Sequence, residues 1–330
     1  MSDQDGTWQK LLSDPLYQQI LIEDYWKQQG QPWRTEPEID LERQQYLDAR
    51  RRKVVKERKS FSPLQDVSLS RADIEWLLAT HEDGHGPIDW NDLNQREREG
   101  LYLAGVDLRG LDLSKLPLAK TNLTNAHLEE AKLIHAHLEN ATLYDTFLER
   151  ADLTSAHLQE ALLVDAHLQG ASLNSTHLEG TWLANAHLEG ADLSSCFFDV
   201  ETRLNRVTLY SQEMGGAILA DVRWGDVNLA VVDWSVLSKL GDEVGADQYK
   251  TDDKELEQIL RLEFLQRATR AYRQLSVVLK NQGLNEDANR FAYRAQLMQR
   301  IVYRRQKKYS RFLGSLFLDL LTGYGHKPLR

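Results

Sequence analysis

TNLTNAHLEEAKLIHAHLENATLYDTFLERADLTSAHLQE, residues 121–160, carries leucine at every fifth position, and the spacing holds unbroken from Leu103 to Leu193. The residue two before each leucine is nearly always Ala, Thr or another small or apolar group. A step of five turns a side chain by about 140° around an α-helix, and in a strand an odd step flips it to the other face. Neither element buries such a pattern. A chain that turns a corner every five residues does, with Leu and its small partner inside and three residues outside. The expected fold class is a mainly β solenoid.

Working outward, the frame runs from Leu103 to Phe198, slips by one residue around 199–203, and resumes at Leu204, Leu209, Met214, Leu219, Trp224, Leu229 and Trp234. Residues 1–98 read as a helical module. Asp14-Pro15 opens one helix, Gly30-Gln31-Pro32 stops it, a second covers Glu38 to Lys59, and Ser70-Arg71-Ala72-Asp73 caps a third. The rod is assigned to 99–236, and the Gly- and Asp-rich stretch at 237–254 is expected to be a linker. From Glu255 a helical stripe of Leu256, Leu260, Phe264, Ala268, Ala271, Leu275 and Val278 returns. Asn281-Gln282-Gly283 breaks it, and a second helix from Asn285 past Tyr309 completes a hairpin with a basic and apolar tail, within 255–330.

The chain has 40 basic against 50 acidic residues, a balance that favours solubility and argues against generic nucleic-acid binding. Its single cysteine, Cys196, excludes an internal disulfide framework, is compatible with a reducing cytoplasm, and falls where the repeat wants a small buried residue. The first residues, MSDQDGTWQKLL, hold no basic and apolar secretory pattern, and no run of eighteen apolar residues occurs.

Units such as Ala126-His127-Leu128-Glu129-Glu130, Ala151-Asp152-Leu153-Thr154-Ser155 and Ala191-Asp192-Leu193-Ser194-Ser195 resemble the A(D/N)LXX unit of the pentapeptide repeat family. The resemblance implies a right-handed quadrilateral β-helix, four units per turn, flanked here by N- and C-terminal α-helical modules. At about 4.8 Å per turn the rod would be on the order of 32 Å long. Family members include small proteins that mimic DNA and bind gyrase. Farther on, Ala271-Tyr272-Arg273-Gln274-Leu275, Gly283, Asp287-Ala288-Asn289-Arg290-Phe291-Ala292-Tyr293-Arg294 and Leu320-Leu321-Thr322-Gly323-Tyr324-Gly325 resemble the segment before the membrane domain in bacterial pentapeptide-repeat proteins with an ion-channel-like module. In those proteins transmembrane helices follow Tyr-Gly, whereas this sequence stops at Arg330.

His81-Glu82-Asp83-Gly84-His85 matches the spacing of a zinc hydrolase, yet Gly84, Gly86 and Pro87 break the helix that would carry both histidines on one face. A polar helix end is expected there, not catalysis. With four units per turn, His127, Phe147, His167 and His187 stack on one face and His137, His157 and His177 on another. Because Glu129, Glu139, Glu179 and Glu189 lie beside them, a solvated His and Glu ladder without metal is expected. The same phase puts Thr142, Leu162 and Trp182 in one outward column and Tyr144, Val164 and Ala184 in the next. Apolar side chains there call for a partner, and the expected one is a flanking helical module. Tyr144, Leu162, Val164 and Trp182 are accordingly the candidate partner surface, with a second copy or another protein as the alternative. A further candidate is the basic run Arg304, Arg305, Lys307, Lys308 and Arg311, which feeds Phe312, Leu313, Leu316 and Phe317. A basic helix leading into an apolar stretch too short to span fits an anionic membrane surface.

No Gly-rich phosphate loop or nucleophile elbow is visible. The functional expectation is a non-catalytic scaffold or protein-interaction protein without cofactor, cytoplasmic and peripheral at the inner membrane face. Two alternatives are the soluble portion of a channel-like membrane protein, ending before its transmembrane helices, and a DNA mimic acting on a topoisomerase.

Overall fold

In the computed structural model, residues 15–57, 63–248 and 250–322 are described. From residue 102 the chain forms parallel bridges to residues twenty further on: Tyr102 to Asn122, Asp107 to His127, Asp112 to Lys132 and Pro117 to His137. Four ladders result, one for each side of the coil, and every side stacks six residues. Five steps of about 4.8 Å give about 24 Å from first to last, shorter than the 32 Å expected. Between bridges the chain turns. Ala126 N donates to Leu123 O at 2.9 Å, and Asn125 within that turn has φ 55°. A turn with φ > 0 at its third residue favours Gly or Asn. Here Gly105, Gly170 and Asn185 meet that preference, while Lys115, Glu130 and Arg150 accept the left-handed conformation without it.

Every leucine of the five-residue frame from Leu103 to Leu193 is at most 2% exposed, so each contributes about 1.5–3 kcal/mol by leaving water. Several of the polar residues at the small inward position donate to the coil below, Thr121 being an exception. Thr146 Oγ1 reaches Leu123 O at 2.8 Å, Thr181 Oγ1 reaches Leu158 O at 3.0 Å, and Cys196 Sγ reaches Leu173 O at 2.8 Å. Burial pushes the Cys196 thiol far up, so its role is packing.

The slip at 199–203 lengthens one turn, so that Trp182 pairs with Arg203 and His187 with Thr208. Asp199 Oδ1 gathers the excursion by accepting from Gly180 N, Glu201 N and Thr202 N. A larger excursion follows, because Asp192 next pairs with Ile218. The intervening residues form a hairpin of β1 (Tyr210–Ser211) against β2 (Gly215–Gly216). Met214, expected inside the repeat, is at its tip and 36% exposed. The hairpin leaves the wall of the coil and lies over Gly190 and Gly170, where an added Cβ would meet Met214 O at 2.8 Å and Met214 Cε at 3.0 Å.

At the N-terminal end come α1 (Pro15–Gln28), α2 (Leu41–Glu57), α3 (Arg71–Ala79) and the short α4 (His81–Gly84); Leu47 of α2 and Ile74, Trp76, Leu77 and Leu78 of α3 join the core of the first coil, while α1 bonds to Thr35 O and Glu36 O. Ser70 and Asp73 form the expected capping box of α3. Glu75, fully buried, accepts from Thr35 N, Glu36 N and Arg71 Nε, and Arg71 reaches on to Asp112 O of the rod. At the other end α5 (Gly241–Gln248) occupies the expected linker. That expectation is corrected: the glycines permit close approach, with Gly241 N donating to Ala217 O, and Asp242 Oδ2 accepts from Leu219 N. Next come α6 (Lys254–Asn281) and α7 (Asn285–Arg305), an antiparallel pair turned at Gly283 with φ 80°, and then α8 (Tyr309–Thr322). The single long second helix expected past Tyr309 is thus two, broken at Lys307 with φ 57°.

As the leucines give out, aromatic rings carry the core onward. Phe198 stacks on Trp224, Trp224 meets Trp234 edge-on, Trp234 meets Phe291 edge-on, and Phe291 stacks on Tyr272. Buried side chains from Leu47 to Val302 form one contiguous cluster, so both helical ends share the rod's core. Covering both ends removes the open edges at which such a coil would pair with another chain.

Candidate functional site

Each side of the rod presents one bridge residue per coil. On one side Tyr102, Asn122, Thr142, Leu162, Trp182 and Arg203 stack in that order. Trp182 is 38% exposed, and the Arg203 guanidinium lies 3.9 Å from its ring centroid. Leu162, Tyr144 and Val164 are half-buried beside it. No hydrogen bond, ion pair or ring contact from the described flanking helices reaches these four side chains. The described polar contacts of the helical modules fall elsewhere on the rod: Arg71 of α3 reaches Asp112 O, and the C-terminal helices contact Ser194, Leu219, Asp221 and Val227. An open cleft of about 520 Å³ runs along the column, lined by Leu162, Trp182, Glu160, Glu179, Asp199 and Glu201. Its carboxylates escape a reading by residue type alone, but the twenty-residue phase places them beside Trp182.

The two histidine columns form as the spacing requires. His127, Phe147, His167 and His187 stack with ring centroids 4.7, 5.0 and 5.2 Å apart. On the opposite side His137, His157 and His177 stack at 4.7 and 5.1 Å, extended by Phe197 under the Arg223 guanidinium. Phe197 and Arg223 were not anticipated as part of the column. His127, His137, His177 and His187 each share an Nδ1 contact with the carboxylate two residues on, from 2.8 to 3.4 Å. These glutamates are more enclosed than a solvated ladder implies: Glu139 is 5% and Glu189 8% exposed. The Glu139 hydrogen bond raises the pKa of His137, while desolvation and then the charge of His137 lower that of His157.

The zinc-hydrolase spacing at 81–85 does not assemble a site. His81 Nε2 is spent on Glu99 O, His85 Nδ1 on Glu82 O, and the Glu82 carboxylate on Arg98. At the C-terminal end, Arg304 and Arg305 close α7, Lys307 and Lys308 form the turn, and Arg311 begins α8; all five are exposed. On α8 Leu313 is 62%, Leu316 40% and Phe317 60% exposed, with Phe312 half-buried. Arg300 Nε donates to Ser315 Oγ at 3.1 Å and ties α8 to α7. Among the described residues no helix is long and apolar enough to cross a membrane.

The pentapeptide repeats family, in eight copies, matches residues 102–140, 121–159, 131–170 and 161–199. The rod is made of pentapeptide repeats. Solved structures similar to it are themselves pentapeptide repeat proteins. One is Rfr23 from the cyanobacterium Cyanothece 51142, 28% identical over 38% of this chain and 88% of that one, with a TM-score of 0.27. Another is HetL from Nostoc sp. strain PCC 7120, a protein involved in heterocyst differentiation regulation, 25% identical over 40% and 69% with a TM-score of 0.17. QnrB1, a plasmid-mediated fluoroquinolone resistance protein, is 17% identical over 51% and 84% with a TM-score of 0.18. No curated protein matches the chain. Within the pentapeptide-repeat rod, Leu and Ala account for the interior, so what individualises this chain is its outward columns and its two helical ends.

Proposed function

We propose that this chain is a non-catalytic scaffold whose rod, a right-handed quadrilateral β-helix as its repeat family implies, binds a protein partner through the Leu162–Trp182 column. The observation that carries the reading is Trp182, more than a third exposed in an open cleft beside Glu160, Glu179, Asp199 and Glu201. An indole flanked by carboxylates suits a segment bearing both basic and apolar side chains. The test is site-specific photocrosslinking in the producing cell from position 162, with position 132 on the opposite side as comparison. A discrete adduct at 162, absent at 132 and lost in Trp182→Glu, is expected. The same adducts at both positions, or an adduct indifferent to Trp182→Glu, would overturn it.

A second reading rests on α8. Its exposed Leu313, Leu316 and Phe317, next to Arg304, Arg305, Lys307, Lys308 and Arg311, support attachment to the anionic inner face of a membrane. Cosedimentation with phosphatidylglycerol vesicles but not phosphatidylcholine vesicles is expected, weakened by salt and by Phe317→Glu. Equal binding to both vesicles would remove it. The channel-like alternative is decided by reading the coding sequence downstream of Arg330. Against the DNA mimic stand the histidine columns, Trp182 and the cationic Arg203 and Arg223 on the rod's sides.

A further inference from the structure

We infer that His137, Glu139 and His157 form a binding site for a divalent transition metal of the zinc, cobalt and nickel class, bridging two successive coils of the rod. This goes beyond the scaffold reading and does not depend on it. One ligand atom from each of the three residues lies within 4.8 Å of the others, the sole such group of three among the described residues. His137 and Glu139 belong to one coil, with Nδ1 2.8 Å from Oε1, and His157 lies one coil further on, its ring 4.7 Å from that of His137 and 5° from parallel. Around a tetrahedral metal, ligand atoms at about 2.0–2.2 Å from the ion stand about 3.3–3.6 Å from one another. Reaching that spacing requires side-chain rotations that also turn the two parallel ring planes toward a common point, and the exposed His137 and half-buried His157 are the side chains to turn.

Two observations point to a ligand. Glu139 is 5% exposed, and its Oε2 is buried without a hydrogen-bond partner. A carboxylate oxygen in that state has given up water for nothing the protein supplies. The same orphaned oxygen recurs at Glu129, Glu149, Glu179 and Glu189, so by itself it marks the repeat rather than the site. His157 makes the difference. Its repeat position has Gln159 where the other units of this column have Glu139 and Glu179, and among the described residues its ring nitrogens make no hydrogen bond. An uncommitted imidazole stacked over a His and Glu pair offers two nitrogens and one oxygen. That set suits zinc, cobalt or nickel, whereas calcium and magnesium prefer oxygen alone. On the opposite side Phe147 and Gln169 interrupt the sequence of ligands, and no equivalent group forms.

The test uses the full chain without a histidine tag. Calorimetric titration with Zn²⁺ and visible absorption with Co²⁺ are expected to give one ion per chain and a d–d band. His157→Ala and Glu139→Gln are each expected to weaken binding about tenfold or more, while His167→Ala on the opposite side and His81→Ala leave it unchanged. Zn²⁺ should also raise the melting temperature of the rod, and a chelator should reverse the rise, since the ion ties two coils together. Circular dichroism checks each variant; if His157→Ala fails to fold, His157→Gln and Glu139→Gln carry the comparison. The proposal is overturned by no saturable binding, by binding indifferent to both Glu139→Gln and the His157 variants, or by binding lost in His81→Ala or His167→Ala instead.

Discussion

At the scale of single residues, the rod works by repetition of two demands: a leucine with no room to move and a turn residue that tolerates φ > 0. Leu158 is fully buried in a middle coil with leucines above and below. Leu158→Ala is expected to lower stability by about 2–5 kcal/mol in chemical denaturation, because neighbouring coils locked by ladder bonds collapse poorly into a cavity. The turn glycines separate conformation from space. Gly110 has φ 65° and nothing near its missing Cβ, whereas at Gly190 (φ 69°) an added Cβ would stand 2.8 Å from Met214 O. Gly110→Ala should lower stability by about 1 kcal/mol, the left-handed penalty alone, and Gly190→Ala by more, since the hairpin backbone must also shift. Equal losses would show that the hairpin does not rest on Gly190. The Leu period, the inward Ala and Thr, and the stacked histidines were all legible, because each follows from a spacing of five or twenty.

At the scale of elements, α5 was missed, and the reason is physical. Gly241-Asp242-Glu243-Val244-Gly245 has the composition of a loop, and as an isolated helix it would be weak. It holds because Asp242 accepts from Leu219 N, and Glu243 receives Tyr272 Oη–H at 2.8 Å and pairs with Arg294. None of these contacts is local. Burial raises the Asp242 pKa to about 6, partly offset by the Leu219 N–H and by Arg267. For a carboxyl raised in the folded state, folded chains keep a proton that unfolded chains release between about pH 4 and 6, so stability falls as pH rises through that window. Asp242→Asn, which keeps an acceptor for Leu219 N, is therefore expected to gain about 1–3 kcal/mol at pH 8 and little at pH 4. Denaturation at both pH values checks it, and equal losses at both would contradict the sign. The helix break at Lys307 was likewise hidden, since Arg304 to Arg311 contains no Gly or Pro to announce it.

At the scale of the whole molecule, the open side of the rod follows from where the helical ends sit. They close the first and last coils, sharing one core with the rod, and leave the Trp182 column free of described helix contacts. Trp182→Glu should accordingly keep the fold, with a loss of about 0.5–1 kcal/mol from the Arg203 contact; collapse of the circular dichroism spectrum would instead mean that the indole is part of the core. The sequence by itself determined a coil that turns every five residues with leucine inside, because each unit repeats one local geometry; the four sides were implied by the family resemblance, and up to the slip at 199–203 each position is a phase of them. Tertiary structure alone decided that Met214 leaves the wall, that α5 seals the end, that Trp182 stays uncovered and that Glu139 is shut away from water beside an uncommitted His157. Those outcomes depend on contacts between residues far apart in the chain, made once and with no period to reveal them.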